Sequence, residues 1–520
     1  MNMKDYGRFD KATKSIQKDS LKAGIVLIFV VLIALFVSTL QNITNPTMLI
    51  FATIVGAYMA INIGANDVAN NVGPAVGSKA ISLFGAILIA ALCEAGGAII
   101  AGGDVVDTIK SGIIDRNLIG DPHTFLILMF SALLSGAIWL NLATFAGAPV
   151  STTHSLVGGI VGAGIMASGF EIVRWMVLKD IVFSWFVSPV LGGVIAVIFL
   201  SFIKRTIIYT QDRKKSARRI IPCLISLMIF AFSLYLITKG LKKIMPLSFG
   251  VACLGSAIIA SVSFVFLYPL IAKQTSKMGN DKEELNELFT IPLVFSAGLL
   301  SFAHGANDVA NAIGPLAAIN QILTEGMSVG AKSAVPFWIM LVGALGIALG
   351  LLLYGPKLIK TVGSEITDLD KKRAFCVAMS AAITVLIASQ LGLPVSSTHI
   401  AIGAIFGVGF FREYLTKQEL RVQELILQSR SGADEKEVEA FLRKYNESSM
   451  RRKAKMLKAL KRKENNLLNK KEAKQLKKAY KQELVKRSAL NKIVASWLIT
   501  VPCSALLGAG IYCLLAWLGI

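Results

Sequence analysis

Thirteen apolar runs, most of them near the length needed to cross a bilayer, set the outer limits on this chain. They lie near 24–40, 47–63, 80–101, 124–146, 149–169, 181–203, 220–238, 248–271, 291–304, 334–354, 374–391, 394–411 and 493–518. A helix needs about 20 such residues to cross the hydrocarbon core, where only internally hydrogen-bonded backbone is tolerated. Charged residues make up 17% of the chain, against about 25% in a soluble domain. A soluble enzyme, a secreted disulfide scaffold and a disordered protein are therefore excluded. Some runs are short or glycine-rich, so about twelve crossings are expected. The fold class is an all-α polytopic membrane protein. None of the six cysteines forms a CxxC, and they read as small packing residues. Some twenty polar residues precede the first run and many runs follow it. The N-terminus thus reads as a cytoplasmic tail and not as a cleaved signal.

The charges orient the chain. Between Arg412 and Lys492 there are 24 Lys+Arg and 11 Asp+Glu, a net +13 of the total +22. Lys204–Arg219 carries seven basic residues against Asp212 alone, and the N-terminal tail carries six. Even numbers of runs separate these three segments, so they share one face, which the positive-inside rule makes cytoplasmic. That count holds if every run crosses, or if the exceptions come in pairs. Within the insertion, Lys436–Arg487 is rich in Lys, Glu, Leu and Ala and reads as a charged helical hairpin in water. Its basic stretch Arg451–Lys463 suits anionic headgroups. No nucleic-acid motif accompanies it, and no nucleic-acid partner is expected.

The chain also repeats itself. GANDVANNVGP (Gly64–Pro74) recurs as GANDVANAIGP (Gly305–Pro315), and PVSTTH (Pro149–His154) as PVSSTH (Pro394–His399). More weakly, SWFVSP (Ser184–Pro189) recurs as SWLITVP (Ser496–Pro502). The expected segments are a tail (1–23), a first membrane helix and short loop (24–46), repeat 1 (47–203), a basic loop with two linking membrane helices (204–290), the first part of repeat 2 (291–411), the helical cytoplasmic insertion (412–492) and the last helix of repeat 2 (493–520). The copies start seven runs apart, an odd number, so they enter the membrane inverted. Inverted repeats with polar, glycine-rich interruptions point to a secondary transporter whose site lies between the repeats near the midplane.

A carboxylate at that depth costs about 2.5–3.5 kcal/mol on insertion scales, and this chain places one there twice, at Asp67 and Asp308. Asn66, Asn70, Asn307 and Asn311 flank them, and Gly64 and Gly305 permit an unwound backbone whose carbonyls join a hard-cation site. Sodium suits such an all-oxygen shell; capping or gluing of broken helices is the competing reading. The second motif reads as a helix start, with Pro149 and Pro394 in the first turn. Ser151, Thr152 and Thr153, and Ser396, Ser397 and Thr398, then stand at the positive end, where hydroxyls and free amides receive an anion or simply cap the helix. His154 and His399 read as structural donors in preference to proton carriers. Glu94 has no acidic counterpart in the second copy, leaving open a partner for a site residue, a proton relay or a structural pair. Asp104, Asp107 and Lys110 read as boundary residues for which solvation suffices. The order of Gly73–Lys79 is wrong for a phosphate loop, so ATP-driven pumping is not expected, and no HExxH or nucleophile elbow points to an enzyme.

Through both GANDVAN motifs and both PVS[ST]TH motifs the chain resembles the inorganic phosphate transporter (PiT) family. The resemblance implies import of inorganic phosphate across the plasma membrane, coupled to sodium by alternating access, with no cofactor beyond the co-transported ion. A proton-coupled phosphate symporter or a sulfate permease of the same fold is the alternative. Carried over by position, Asn66, Asp67, Asn307 and Asp308 hold sodium. Ser151, Thr152, Thr153, Ser396, Ser397 and Thr398, with Asn70 and Asn311, hold phosphate. Glu94 is the candidate for coupling, and the resemblance points to a homodimer in the lipid bilayer. Three features depart from the family: Ala378 stands where many members carry an acid, Lys79 where they carry a small residue, and the basic insertion falls late in repeat 2.

Overall fold

The computed structural model describes residues 3–145, 150–240, 247–326, 334–365, 369–429, 443 and 487–519. Among these the chain is helical, with no strand and a lone bridge between Ile114 and Val173. The helices are α1 (Met3–Ser38), α2 (Pro46–Asn66), α3 (Val68–Gly77), α4 (Leu83–Ala101), α5 (Gly103–Asp107), α6 (Pro122–Phe145), α7 (Thr152–Ser168), α8 (Trp175–Ile203), α9 (Arg213–Tyr235), α10 (Phe249–Ser276), α11 (Lys282–Glu287), α12 (Thr290–Glu325), α13 (Phe337–Glu365), α14 (Lys371–Gln390), α15 (Ser397–Ser429) and α16 (Arg487–Leu518). Eleven helical segments are long and apolar enough to cross a membrane. This is a multi-pass membrane protein.

The second arms, α7 and α15, are not among those eleven. The amide of Asp115 donates to Ile172 O (2.8 Å) and that of Arg174 to Ile113 O (2.9 Å). The chain just before α6 is thereby tied to the chain just after α7, so these two helices form a hairpin that returns to the face it left. In repeat 2, α14 and α15 occupy the matching places. The first arm α6 is long and apolar enough to cross, and the second arm α7 is the shorter of the two. The described part of the 412–492 segment continues α15 to Ser429 and opens α16 at Arg487. The expected helical hairpin of the insertion lies outside the described residues.

The repeats exchange partners as well as packing each on itself. The first-motif helix α2 packs on α13 of the other copy, and the second-motif helix α12 packs on α4. Likewise α7 lies on α16 and α15 on α8. A β-carbon on Gly64 would overlap the Ile347 carbonyl, and one on Gly350 would overlap Ile61 O. In the related crossing, one on Gly305 would overlap Glu94 O, and one on Gly97 Phe302 O. These are two contacts, each made twice by the duplication. They correct the role expected for the motif glycines: Gly64 and Gly305 lie in helix, and each admits a neighbouring backbone instead of unwinding its own.

The helix break is also narrower than expected. Only the first motif is interrupted, at Asp67, whose φ −81 and ψ −34 remain helical, while α12 runs unbroken through the second. From Ser296 to Leu323 every residue of α12 is buried. A helix covered on all sides is the centre of the bundle, which places Asp308 at its heart.

Candidate functional site

Both hairpins deliver a helix start to the motif aspartates. Ser151 caps α7, its Oγ accepting from the His154 amide (3.2 Å), and Ser396 does the same for α15 through His399 (3.3 Å). The caps set the helix starts after the prolines. Pro394 therefore precedes its helix and does not stand in the first turn as expected, while Pro149 lies outside the described residues. The first amides of each helix have no intrahelical acceptor and face the site with the dipole behind them.

The side chains then interlock across the repeats. Thr152 Oγ1 donates to Asp67 Oδ2 (2.9 Å), and its counterpart Ser397 Oγ donates to Asp308 Oδ2 (2.8 Å). Asn70 Nδ2 donates to Thr398 Oγ1 (3.0 Å), and its counterpart Asn311 Nδ2 donates to Thr153 Oγ1 (3.0 Å) and Thr152 Oγ1 (3.2 Å). Thr398 Oγ1 also reaches Asp67 Oδ1 (3.3 Å). Asp67 and Asp308 are only 2% and 1% exposed, so these contacts stand in for water. Ligand atoms of Asp67, His304 and Asp308 all lie within 4.8 Å of one another. Among the described residues, Asp308 Oδ1 and Asn311 Oδ1 are buried acceptors with no donor. Buried oxygens left in that state destabilise a fold unless something meets them, and a cation is what two neighbouring carboxylates attract.

The asparagines of the expected cation set sit differently. Asn307 Nδ2 donates to Ser389 Oγ (3.1 Å) and Leu393 O (3.1 Å), and its Oδ1 accepts from the Val395 amide (3.3 Å). It holds the loop before α15. Asn66 is half-buried, and its Nδ2 has no partner among the described residues.

Glu94 faces the cluster from α4. Its Oε1 accepts from Asn71 Nδ2 (2.9 Å), its Oε2 lies 2.6 Å from His304 Nδ1, and His304 Nε2 lies 2.8 Å from Asp308 Oδ2. Glu94 thus lies against Asn71 and His304, and among the described residues no Lys or Arg pairs with it. His304 and Asn71 were not singled out from the sequence. The signal was asymmetry: Glu94, Asn71 and His304 correspond by position to Ile347, Ala312 and Ile63, so this polar relay exists in one copy only.

The third repeated motif finds its use here. Trp185 lies tilted against His154 (3.9 Å between centroids, 36° between planes), His154 meets His399 edge-on (4.5 Å), and His399 stacks on Trp497 (3.7 Å). The histidines pin the two hairpins together by their rings. The contact between them is made through the ring faces and edges. Lys79 is exposed in the turn after α3, away from the site, and Ala378 is buried in α14.

Two inverted repeats closing on buried, paired aspartates and two hydroxyl-bearing helix starts define a membrane transporter for a small oxyanion. Comparison with known proteins narrows the class. Residues 63–508 match the phosphate transporter family. Proteins from two strains of Helicobacter pylori, each named "Putative phosphate permease", are 54% and 53% identical to this chain, over 98% of it and 98% of their own length. A phosphate permease so named from Pyrococcus abyssi is 41% identical, over 73% of this chain and 93% of its own. A solved structure, "The sodium-dependent phosphate transporter", superposes with a TM-score of 0.73 at 34% identity, covering 91% of this chain and 99% of that one. The chain belongs to the phosphate transporter family. It is a phosphate permease and not an enzyme.

Proposed function

We propose that the chain is a sodium-coupled phosphate symporter working by alternating access, with coupling carried by hydroxyls that the two ligands share. The supporting observation is that Thr152 and Ser397, candidate phosphate donors, give their hydrogen bonds to Asp67 and Asp308, the candidate sodium ligands. A hydroxyl has one hydrogen to donate. While the aspartates hold it, phosphate cannot. Sodium bound at the carboxylates supplies the counter-charge the hydroxyls now provide, and frees them, with the first-turn amides of α7 and α15, to turn to the anion. Asn70 and Asn311 move with Thr398 and Thr153, linking each repeat's motif to the other's hairpin. Rocking of one repeat against the other then exposes the loaded site on alternate faces.

Proton coupling is the second reading, and the close contacts from Glu94 through His304 to Asp308 favour it. Uptake of radiolabelled phosphate into proteoliposomes holding the purified chain separates the two. An inward sodium gradient alone is expected to drive accumulation above the equilibrium level. Accumulation driven by an inward proton gradient alone would reassign the coupling ion to the relay.

A further inference from the structure

The loop from α14 to α15 is held carbonyl by carbonyl. Lys239 Nζ donates to Gln390 O (3.2 Å), Thr108 Oγ1 to Gly392 O (2.7 Å), Asn307 Nδ2 to Leu393 O (3.1 Å), Trp185 Nε1 to Pro394 O (3.1 Å) and Thr153 Oγ1 to Val395 O (3.0 Å). The five donors come from five different elements. Irregular backbone at membrane depth needs such partners. This loop leads directly into Ser396, Ser397 and Thr398.

Three of the donors, Asn307, Trp185 and Thr153, belong to the site and its ring stack. The other two are of another kind. Thr108 opens a π-helical turn, Thr108–Gly112, and Lys239 lies in a second, Leu236–Gly240. Single π-helical turns are adaptable and recur at functional positions. Lys239 also pairs with Asp104, with side-chain exposures of 12% and 52%; Asp104 thus has a partner where solvation was expected to suffice. An ion pair open to solvent on one side is weakly held, which suits a contact that parts and reforms. Gly392 sits at φ +67, a left-handed conformation that favours glycine. Lys239 follows α9, outside both repeats, so the duplication supplies no equivalent lysine for the other hairpin.

We propose that Lys239, Asp104 and Thr108 form a latch that positions the α14–α15 loop, and through it the hydroxyls of Ser397 and Thr398, in one of the two access states, and that the latch parts in each transport cycle. The three act as positioning residues. The inference rests on the reading that phosphate is carried at these hydroxyls.

The test locks the latch. An Asp104→Cys, Lys239→Cys chain in proteoliposomes is treated with a short bis-methanethiosulfonate linker, and wild-type protein, with its six native cysteines, is treated alongside. Phosphate uptake by the linked chain is expected to fall about tenfold or more and to return on reduction, with the wild type unaffected. Independently, Lys239→Ala is expected to raise the KM for phosphate several-fold with the maximal rate less affected. The conservative Lys239→Arg chain, which keeps the charge toward Asp104 and a donor for Gln390 O, is expected to hold KM to within about twofold of wild type. A linked chain that transports at its unlinked rate, or a Lys239→Arg chain no better than Lys239→Ala, would overturn the latch. Wild-type protein that takes up no phosphate would overturn the site reading and the latch together.

Discussion

Replacing either motif aspartate by asparagine, Asp67→Asn or Asp308→Asn, is expected to reduce sodium-driven phosphate uptake by about 100-fold or more, corresponding to about 2.7 kcal/mol. The substitution keeps the shape and one carbonyl oxygen but removes the charge that attracts a cation. Each aspartate is nearly sealed from water and accepts a hydroxyl hydrogen bond from a hairpin helix start. An asparagine can keep that hydrogen bond, so the fold is expected to survive. Size-exclusion behaviour and melting temperature of the purified variants check this beside the uptake rate. Folded variants with wild-type sodium-driven uptake would remove the aspartates from the mechanism.

Glu94 gives the second large effect. Glu94→Gln and His304→Gln are each expected to lower uptake by about two orders of magnitude, because each removes a buried contact that positions Asp308, and a small misplacement of a site group costs about 100-fold. Glu94, His304 and Asp308 touch in series, at 2.6 and 2.8 Å. Groups acting as one unit give non-additive losses. The double variant is therefore expected to be no worse than the poorer single variant, as read by initial uptake rates at matched protein content. Losses that multiply would mean that Glu94 and His304 act separately. Retained uptake in both singles would make the relay a structural element of the α4–α12 crossing.

The duplication carried most of what was legible in advance. Motifs repeated in order fixed the inversion, and they brought Asp67, Asp308 and the hydroxyls of both hairpins into one cluster, as their spacing implied. Features that break the duplication stayed hidden. His304 stands where the first copy has Ile63, and Asn71 where the second has Ala312, so comparing the copies gave neither any emphasis. Hydropathy reports composition and not the direction of travel. It therefore did not show that the outer ends of α6 and α7 meet. The motif glycines read as points of unwinding because glycine's two uses, conformational freedom and close approach, look alike in one dimension. Only the packing of Gly305 on the Glu94 backbone separates them. Asp104 showed nothing in sequence of its pairing with Lys239, since 135 residues separate the two.

The central claim is that sodium and phosphate communicate through the hydroxyls of Thr152 and Ser397. Equilibrium binding of radiolabelled phosphate to the purified chain, titrated with sodium against choline at constant ionic strength, tests it most directly. Linkage makes the effect reciprocal: if sodium releases hydroxyls for the anion, phosphate must tighten sodium by the same factor. Saturating sodium is expected to tighten phosphate binding by about tenfold or more, equivalent to about 1.4 kcal/mol of coupling. In a Thr152→Val, Ser397→Ala chain this dependence is expected to shrink to within about twofold. Phosphate binding that is indifferent to sodium in the wild-type chain would contradict the account.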